Sequence, residues 1–160
     1  ESFKVEFNLS NDYAEGFITH TIVLVSTNGD AYTATLESEV MPEFIFSEQL
    51  LDAGYYSPGE KREWVFYVWK PDSSKPSLKL SKDASKDFKA KFTPVMLNTE
   101  KLDDIREGGK MPGIKVTLST KGISKANTLA GQKSLRRIVG FESATNTNAH
   151  PEILVIGYWK

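Results

Sequence analysis

Apolar and polar residues alternate along most of this chain, the pattern of strands that bury one face and leave the other in water. One stretch breaks the rule. In KREWVFYVWK, Lys61–Lys70, a strand would put Trp64, Phe66 and Val68 on one side and Val65, Tyr67 and Trp69 on the other. Both sets are apolar, which predicts a strand in the middle of a sheet with material packed on each side. The run is short, rich in aromatic and β-branched residues, and bounded by Ser57-Pro58-Gly59 and by Pro71 to Pro76, so a buried helix is the poorer reading.

Around this centre the alternation predicts further strands in order. Phe3, Val5, Phe7 and Leu9 alternate with Lys4, Glu6 and Asn8, a one-sided strand ending at Ser10-Asn11-Asp12. Phe17–Ser26 and Ala31–Ser38 flank Asn28-Gly29, a pair that readily adopts the positive φ angles of a type I′ turn, and should form an antiparallel hairpin. Glu43–Phe46 is short and apolar, and Ser47–Ala53 reads as a helical turn. Leu78-Lys79-Leu80 and Asp87–Leu97 follow. Pro94, which cannot donate a ladder hydrogen bond, and the outward Lys89 and Lys91 place the latter strand at an edge.

Thr99–Glu107 is predicted as the one longer helix, with Thr99 as N-cap, Leu102 and Ile105 as its apolar stripe and Gly108 as its stop. Ile114–Thr120, Leu135–Glu142 and Ile153–Trp159 complete the strands, the last apolar on both sides, and Gly122–Gly131 reads as loop. About nine or ten strands at this spacing predict an all-β fold, an antiparallel β-sandwich of immunoglobulin-like or jelly-roll-like type with one short helix. The expected division is an N-terminal strand, residues 1–10, and a sandwich domain, residues 11–160.

Composition agrees with a folded domain large enough to bury a core without disulfides or metals. Of 160 residues, 39% are hydrophobic and 26% charged, and mean hydropathy is -0.36. Twenty basic against 21 acidic residues, a net charge of -1, supply no overall field for nucleic acid or an anionic membrane. No apolar run is long enough to span a bilayer. The absence of cysteine excludes disulfides and thiolate metal sites but leaves the compartment open; with only Gln49 and Gln132 as glutamines, it also points to heat tolerance. Numbering begins at Glu1 without methionine: either the chain was cut back or a leader was removed, and only the second implies export.

Candidate chemistry is sparse. His20 sits in mid-strand and His150 before Pro151, with no second group spaced to make a metal site or a base. No serine lies in a nucleophile motif, and Gly108-Gly109 lacks the rest of a phosphate loop. Asp103-Asp104, Asp83 with Asp87, and Asn28 with Asp30 fall short of a calcium loop, although two chains could share such ligands. Arg136-Arg137 is a pair and no basic patch. The chain is therefore expected to be no enzyme, with no catalytic residues, no metal ligands and no cofactor. Trp64, Trp69, Trp159, Tyr67 and Tyr158 read as core, while Tyr55 and Tyr56, beside Pro58-Gly59, read as the exposed aromatics on which a sugar ring could stack. Asn8-Leu9-Ser10 is a glycosylation sequon in an exported protein.

With chemistry unsupported, interaction remains. Phe3, Val5, Phe7 and Leu9 could complete a neighbouring copy's sheet, adding backbone hydrogen bonds along the strand while alternate side chains fill pockets; head-to-tail pairing that does not close makes a filament. The Ser57-Pro58-Gly59-Glu60 turn feeding a strand, the Pro71 to Pro76 break and Leu78-Lys79-Leu80 resemble the central region of TasA/camelysin-like secreted β-sandwich proteins, which are similar to subunits of archaeal bundling pili and extracellular tubules. That resemblance implies an extracellular or cell-surface homopolymer joined by donated N-terminal strands, as in biofilm fibres, with Phe3, Val5, Phe7 and Leu9 as donor residues by pattern. Camelysin's associated protease activity has no counterpart motif and is not carried over. The expected partners are copies of the chain itself, with glycan or calcium at their interfaces, and neither nucleic acid nor a membrane span. The competing expectation is a surface immunoglobulin-like module that holds glycan or protein through Tyr55, Tyr56 or loops.

Overall fold

The structure, a computed structural model, describes residues 16–101, 109–129, 132–146 and 149–160. The expected strand at Phe3, Val5, Phe7 and Leu9, the sequon at Asn8 and the boundary after residue 10 lie outside them. The chain divides into two compact units, Glu1–Pro42 and Glu43–Lys160.

The first unit contains β1 (Gly16–Val25) and β2 (Ala31–Val40), antiparallel as expected and in register from Gly16 opposite Val40 to Val25 opposite Ala31. The turn differs from the expectation. Gly29 has φ of 89° but Asn28 is not in the positive-φ region, so type I′ is excluded. Instead the Gly29 amide donates to the Ser26 carbonyl at 3.0 Å, and the Ser26 hydroxyl accepts from the Asp30 amide. The side chain of Ser26 thus secures a longer loop that an Asn-Gly pair alone would not need.

The second unit is the sandwich. Its strands are β3 (Ile45–Phe46), β4 (Leu50–Tyr56), β5 (Glu63–Trp69), β6 (Leu78–Leu80), β7 (Phe88–Asn98), β8 (Lys110–Thr120), β9 (Asn127–Leu129), β10 (Gln132–Ser143) and β11 (Glu152–Trp159), with one helical turn α1 (Ala84–Asp87) before β7. One sheet runs β3-β5-β8-β7, the other β4-β11-β10-β6 with β9 added to β10. All pairings in this unit are antiparallel except β4 with β11, which is parallel. The fold is an all-β sandwich.

Between the sheets, Phe66, Val116 and Leu118 of the first meet Leu135, Val139, Phe141 and Val155 of the second. Phe141 stands at the centre, its ring 5.7 Å from Phe46, 6.3 Å from Phe66 and 6.3 Å from Phe92, the last two edge-on. Edge-to-face contact is favoured by the aromatic quadrupole. A smaller cluster of Trp69, Leu97 and Met111 closes one end of the β3-β5-β8-β7 sheet.

Three expectations are corrected. β5 does lie inside its sheet, between β3 and β8, but its outer side is covered only at Trp69, by Leu97 and Met111; Val65 and Tyr67 are 46% and 37% exposed, because β5 lies in an outer layer of a two-layer fold. Ser47–Ala53 is no helical turn; β4 begins at Leu50, held beside β11. Thr99 is not an N-cap: it lies within a 3-10 turn, Thr99–Lys101, where Asn98 Oδ1 accepts from the Glu100 amide, and its hydroxyl donates to the Gly109 carbonyl and accepts from the Gly109 amide; the rest of the expected helix, with Leu102, Ile105 and Gly108, lies outside the described residues. Pro94 does sit on an edge strand, since among the described residues β7 pairs with β8 alone.

Candidate functional site

Because β4 and β11 run parallel, their C-terminal ends meet at one pole of the sandwich, where Tyr158 lies opposite Tyr55 and Trp159 opposite Tyr56. The register slips between Ile156 and Tyr158. Gly54, with φ of 59°, takes up the extra residue on β4, and its amide donates to Asp52 Oδ1 at 2.7 Å. Glycine reaches this left-handed region without the Cβ clash that other residues meet. Across from it Gly157 lies so close that a Cβ there would fall 2.8 Å from the Gly54 carbonyl oxygen and 3.0 Å from Ala53 Cβ.

The bulge decides which tyrosine reaches solvent. Leu51 and Ala53 face the core at alternate positions, and strict alternation would continue to Tyr55. The extra residue inverts the parity, so Tyr56 is fully buried and Tyr55 is 66% exposed. Tyr56 is a structural residue. Its hydroxyl donates to the Glu60 carbonyl and accepts from the Ile123 amide at 3.0 Å, tying β4 to two loops. The sugar-stacking role expected of Tyr56 is therefore corrected, and that of Tyr55 keeps its exposure.

Tyr158, expected in the core, is 68% exposed and lies against Tyr55 with ring centroids 5.5 Å apart and planes 36° apart. The pair is framed by cations. Lys160 Nζ lies 6.0 Å from the Tyr55 ring centroid, and its backbone amide donates to the Tyr56 carbonyl. The Arg62 guanidinium donates to the Tyr55 carbonyl at 3.0 Å and pairs with Glu60 at 2.7 Å. Glu60 also accepts from the Ser57 amide, which closes the Pro58-Gly59 turn. Trp64, half-buried beneath, donates its indole N–H to the Asp52 carbonyl at 2.9 Å. The platform is thus two exposed rings on a strand pair locked from below. Sequence reasoning missed Tyr158 and Lys160 because only the β4–β11 pairing and the bulge bring them to Tyr55, and Arg62 because only the fold of the turn at residues 57–60 sets it there.

Other candidates disperse. Trp69 is buried, and Trp159 packs half-buried against Tyr56 at 5.7 Å. Asp87 pairs with Arg137 and Asp83 with Lys86. The hydrogen bond from Lys86, and then its charge, lower the Asp83 pKa, and the same pair raises that of Lys86. Hydrogen bonds from Ser74 lower Asp72, and the hydrogen bond from Lys79 lowers Glu142. These are surface pairs that fix loops and strand edges. Among the described residues no three of His, Asp or Glu gather to hold a metal ion, and Asp103-Asp104 lies outside them. No helix among the described residues is long and apolar enough to cross a membrane.

No protein-family model matches the sequence, and no curated protein matches it. Among solved structures, the chain is similar to the sialic acid binding region of a Streptococcus sanguinis SK1 adhesin bound to 3'sLn, with 11% identity over 88% of this chain and 37% of that one, at a TM-score of 0.34. It is also similar to a protein of unknown function from Porphyromonas gingivalis W83, with 11% identity over 94% of this chain and 69% of that one, at a TM-score of 0.36. The chain thus spans just over a third of the length of the adhesin region.

Proposed function

We propose that the sandwich is a non-catalytic, extracellular carbohydrate-binding module and that Tyr55 and Tyr158 are its stacking platform. The observation that carries this reading is the tyrosine pair itself: two large rings, both about two-thirds exposed, set side by side with their planes tilted by 36° at the end of a hydrogen-bonded strand pair. Core packing does not explain them, since neither contributes to the buried cluster. Sugar rings present C–H faces that lie against aromatic faces, and their hydroxyls would meet the donors of Lys160 and Arg62 beside the platform. A fixed β-strand scaffold supports this use, because little side-chain freedom is left to lose on binding.

Glycan-array or calorimetric titration of the chain tests the reading. Tyr55→Ala is expected to weaken binding by about tenfold or more, the scale of one lost aromatic contact of ~1.5 kcal/mol, while the unfolding midpoint stays near wild type because the side chain is exposed. Unchanged affinity in that variant would remove the platform from the site.

A second reading, self-assembly through a donated strand, is favoured by one observation. Among the described residues β1 and β2 pair only with each other, and a two-stranded ribbon is marginal in water without a third strand or a packing partner. Phe3, Val5, Phe7 and Leu9 precede it in the chain and carry the alternation a third strand needs. Removal of residues 1–10 is expected to abolish polymer seen by electron microscopy or size-exclusion chromatography. Polymer that survives the removal would exclude the donor role.

A further inference from the structure

The outer face of the β3-β5-β8-β7 sheet carries a concentration of positive charge that the composition does not foreshadow. Register fixes its rows: Lys89, Ser119 and Glu63 lie side by side, then Lys91, Thr117 and Val65, then Thr93, Lys115 and Tyr67. The residues between them, Phe88, Val116, Leu118 and Phe66 among others, face the core, so all nine belong to the solvent side. Three lysines stand there against one carboxylate. At the end of the face where Lys89 lies, a cleft of about 550 Å³ is lined by Lys61, Arg62, Lys89 and Lys121 around Glu63 and Ser119. A volume of that size lies in the range of sites for small molecules, ~300–1,000 Å³.

These charges are not consumed internally. Among the described residues Lys61, Lys89, Lys91 and Lys115 have no carboxylate partner. Of the carboxylates at the cleft, Glu60 neutralises Arg62 and Glu63 stands in the lining, while Asp87 is taken by Arg137, which leaves the lysines in excess. Lys121 spends its ammonium on the neutral Ser85 carbonyl and keeps its charge. With a net charge of -1 over the whole chain, the excess is a matter of placement. Aligned charges of one sign on a sheet face raise the local concentration of counter-charged ligand.

We propose that this face and its cleft bind an acidic polysaccharide, a chain of sugar rings bearing carboxylate or sulfate groups. Lys89 and Lys91, two residues apart on one strand, are separated by roughly 6.5–7 Å, a spacing suited to single charges carried ring by ring. Between the lysines run the hydroxyls of Ser119, Thr117 and Thr93, partners for sugar hydroxyls, and beside them the exposed Tyr67 and Val65 offer apolar surface to ring faces. Single-stranded nucleic acid would call for several exposed aromatic side chains on which successive bases stack, and of the aromatics described on this face Trp69 is buried and only Tyr67 is exposed. Arg62 lines the cleft and also borders the tyrosine platform, but the lysine rows on β7 and β8 belong to this face alone, so the proposal rests on them and not on Tyr55 and Tyr158.

The test is titration of the full chain with dextran sulfate, polygalacturonate, neutral dextran and a single-stranded DNA oligonucleotide, at low and at physiological salt. Binding to both acidic polysaccharides is expected, weakening with salt as surface charge is screened. The double variant Lys89→Gln and Lys91→Gln, whose side chains are exposed, should lose about tenfold or more in affinity. Lys79→Gln, on β6 of the other sheet, and Tyr55→Ala should both bind acidic polysaccharide like wild type. No binding to either acidic polysaccharide, or an equal loss in Lys79→Gln, overturns the proposal. Tighter binding of the oligonucleotide reassigns the face to nucleic acid. Loss of neutral-sugar binding in Tyr55→Ala with acidic binding intact separates the two sites.

Discussion

Phe141→Ala is expected to cost about 3–5 kcal/mol of stability, the cost of truncating a buried aromatic without full collapse of the cavity. No other described side chain touches so many rings. It is 1% exposed, projects from β10, and meets Phe46, Phe66 and Phe92 of the opposite sheet, so its removal opens a void between the layers. For a unit of this size the loss corresponds to a fall in Tm of roughly 10–25 °C. Urea unfolding followed by tryptophan fluorescence measures it. A loss below ~1.5 kcal/mol would show that the sheets can close over the gap, and that the ring cluster is less decisive than its geometry indicates.

The second large effect is expected from Gly157→Ala, a single added methyl. Its Cβ would meet a backbone oxygen, that of Gly54, at 2.8 Å and Ala53 Cβ at 3.0 Å, and neither can swing aside as a long side chain would. β11 must move away from β4. The cost is about 1–3 kcal/mol, as for other overpacked sites. Unlike Phe141→Ala, this change acts where Tyr55 and Tyr158 are set against each other, so glycan affinity should fall by about tenfold or more in protein that remains folded at 25 °C. The pairing of a modest stability loss with a large binding loss, read by calorimetry on the same sample, is the diagnostic. Normal affinity in a destabilised Gly157→Ala protein would show that the spacing of the two rings is not what the ligand reads.

Legibility in the sequence followed periodicity closely. The β1–β2 hairpin, the edge position of β7 with its Pro94, and the cores of β8, β10 and β11 all announce themselves by alternation and by turn residues. What alternation cannot report is a change of parity. The bulge at Gly54 places Tyr56 inside and Tyr55 outside; the glycine is its one mark in the sequence, and only the pairing with the partner strand fixes the slip. The same cause hid Tyr158. Its strand is apolar at successive positions because Leu154 and Ile156 are half-covered on the outer side, not because both faces are sealed. Ser47 to Ala53 resembled a helical turn because its composition is neutral, and tertiary pairing with β11 decided the matter. The basic face was invisible for a different reason. Its lysines come from β5's approach, β7, β8 and the segment after it, so only register assembles them.

The parallel pairing of β4 with β11 has a consequence for how the molecule is made. Leu50 finds Leu154 as its sheet partner, about a hundred residues later, and among the described residues β4 has no other strand neighbour. During synthesis β4 emerges from the ribosome early and must wait, its apolar Leu51 and Ala53 uncovered, until nearly every later strand has been translated. Closing the long loop between β4 and β11 carries an entropy cost that slows folding relative to locally paired strands. A nascent chain halted before β11 carries an open flank, which makes this strand the natural point of engagement for a chaperone.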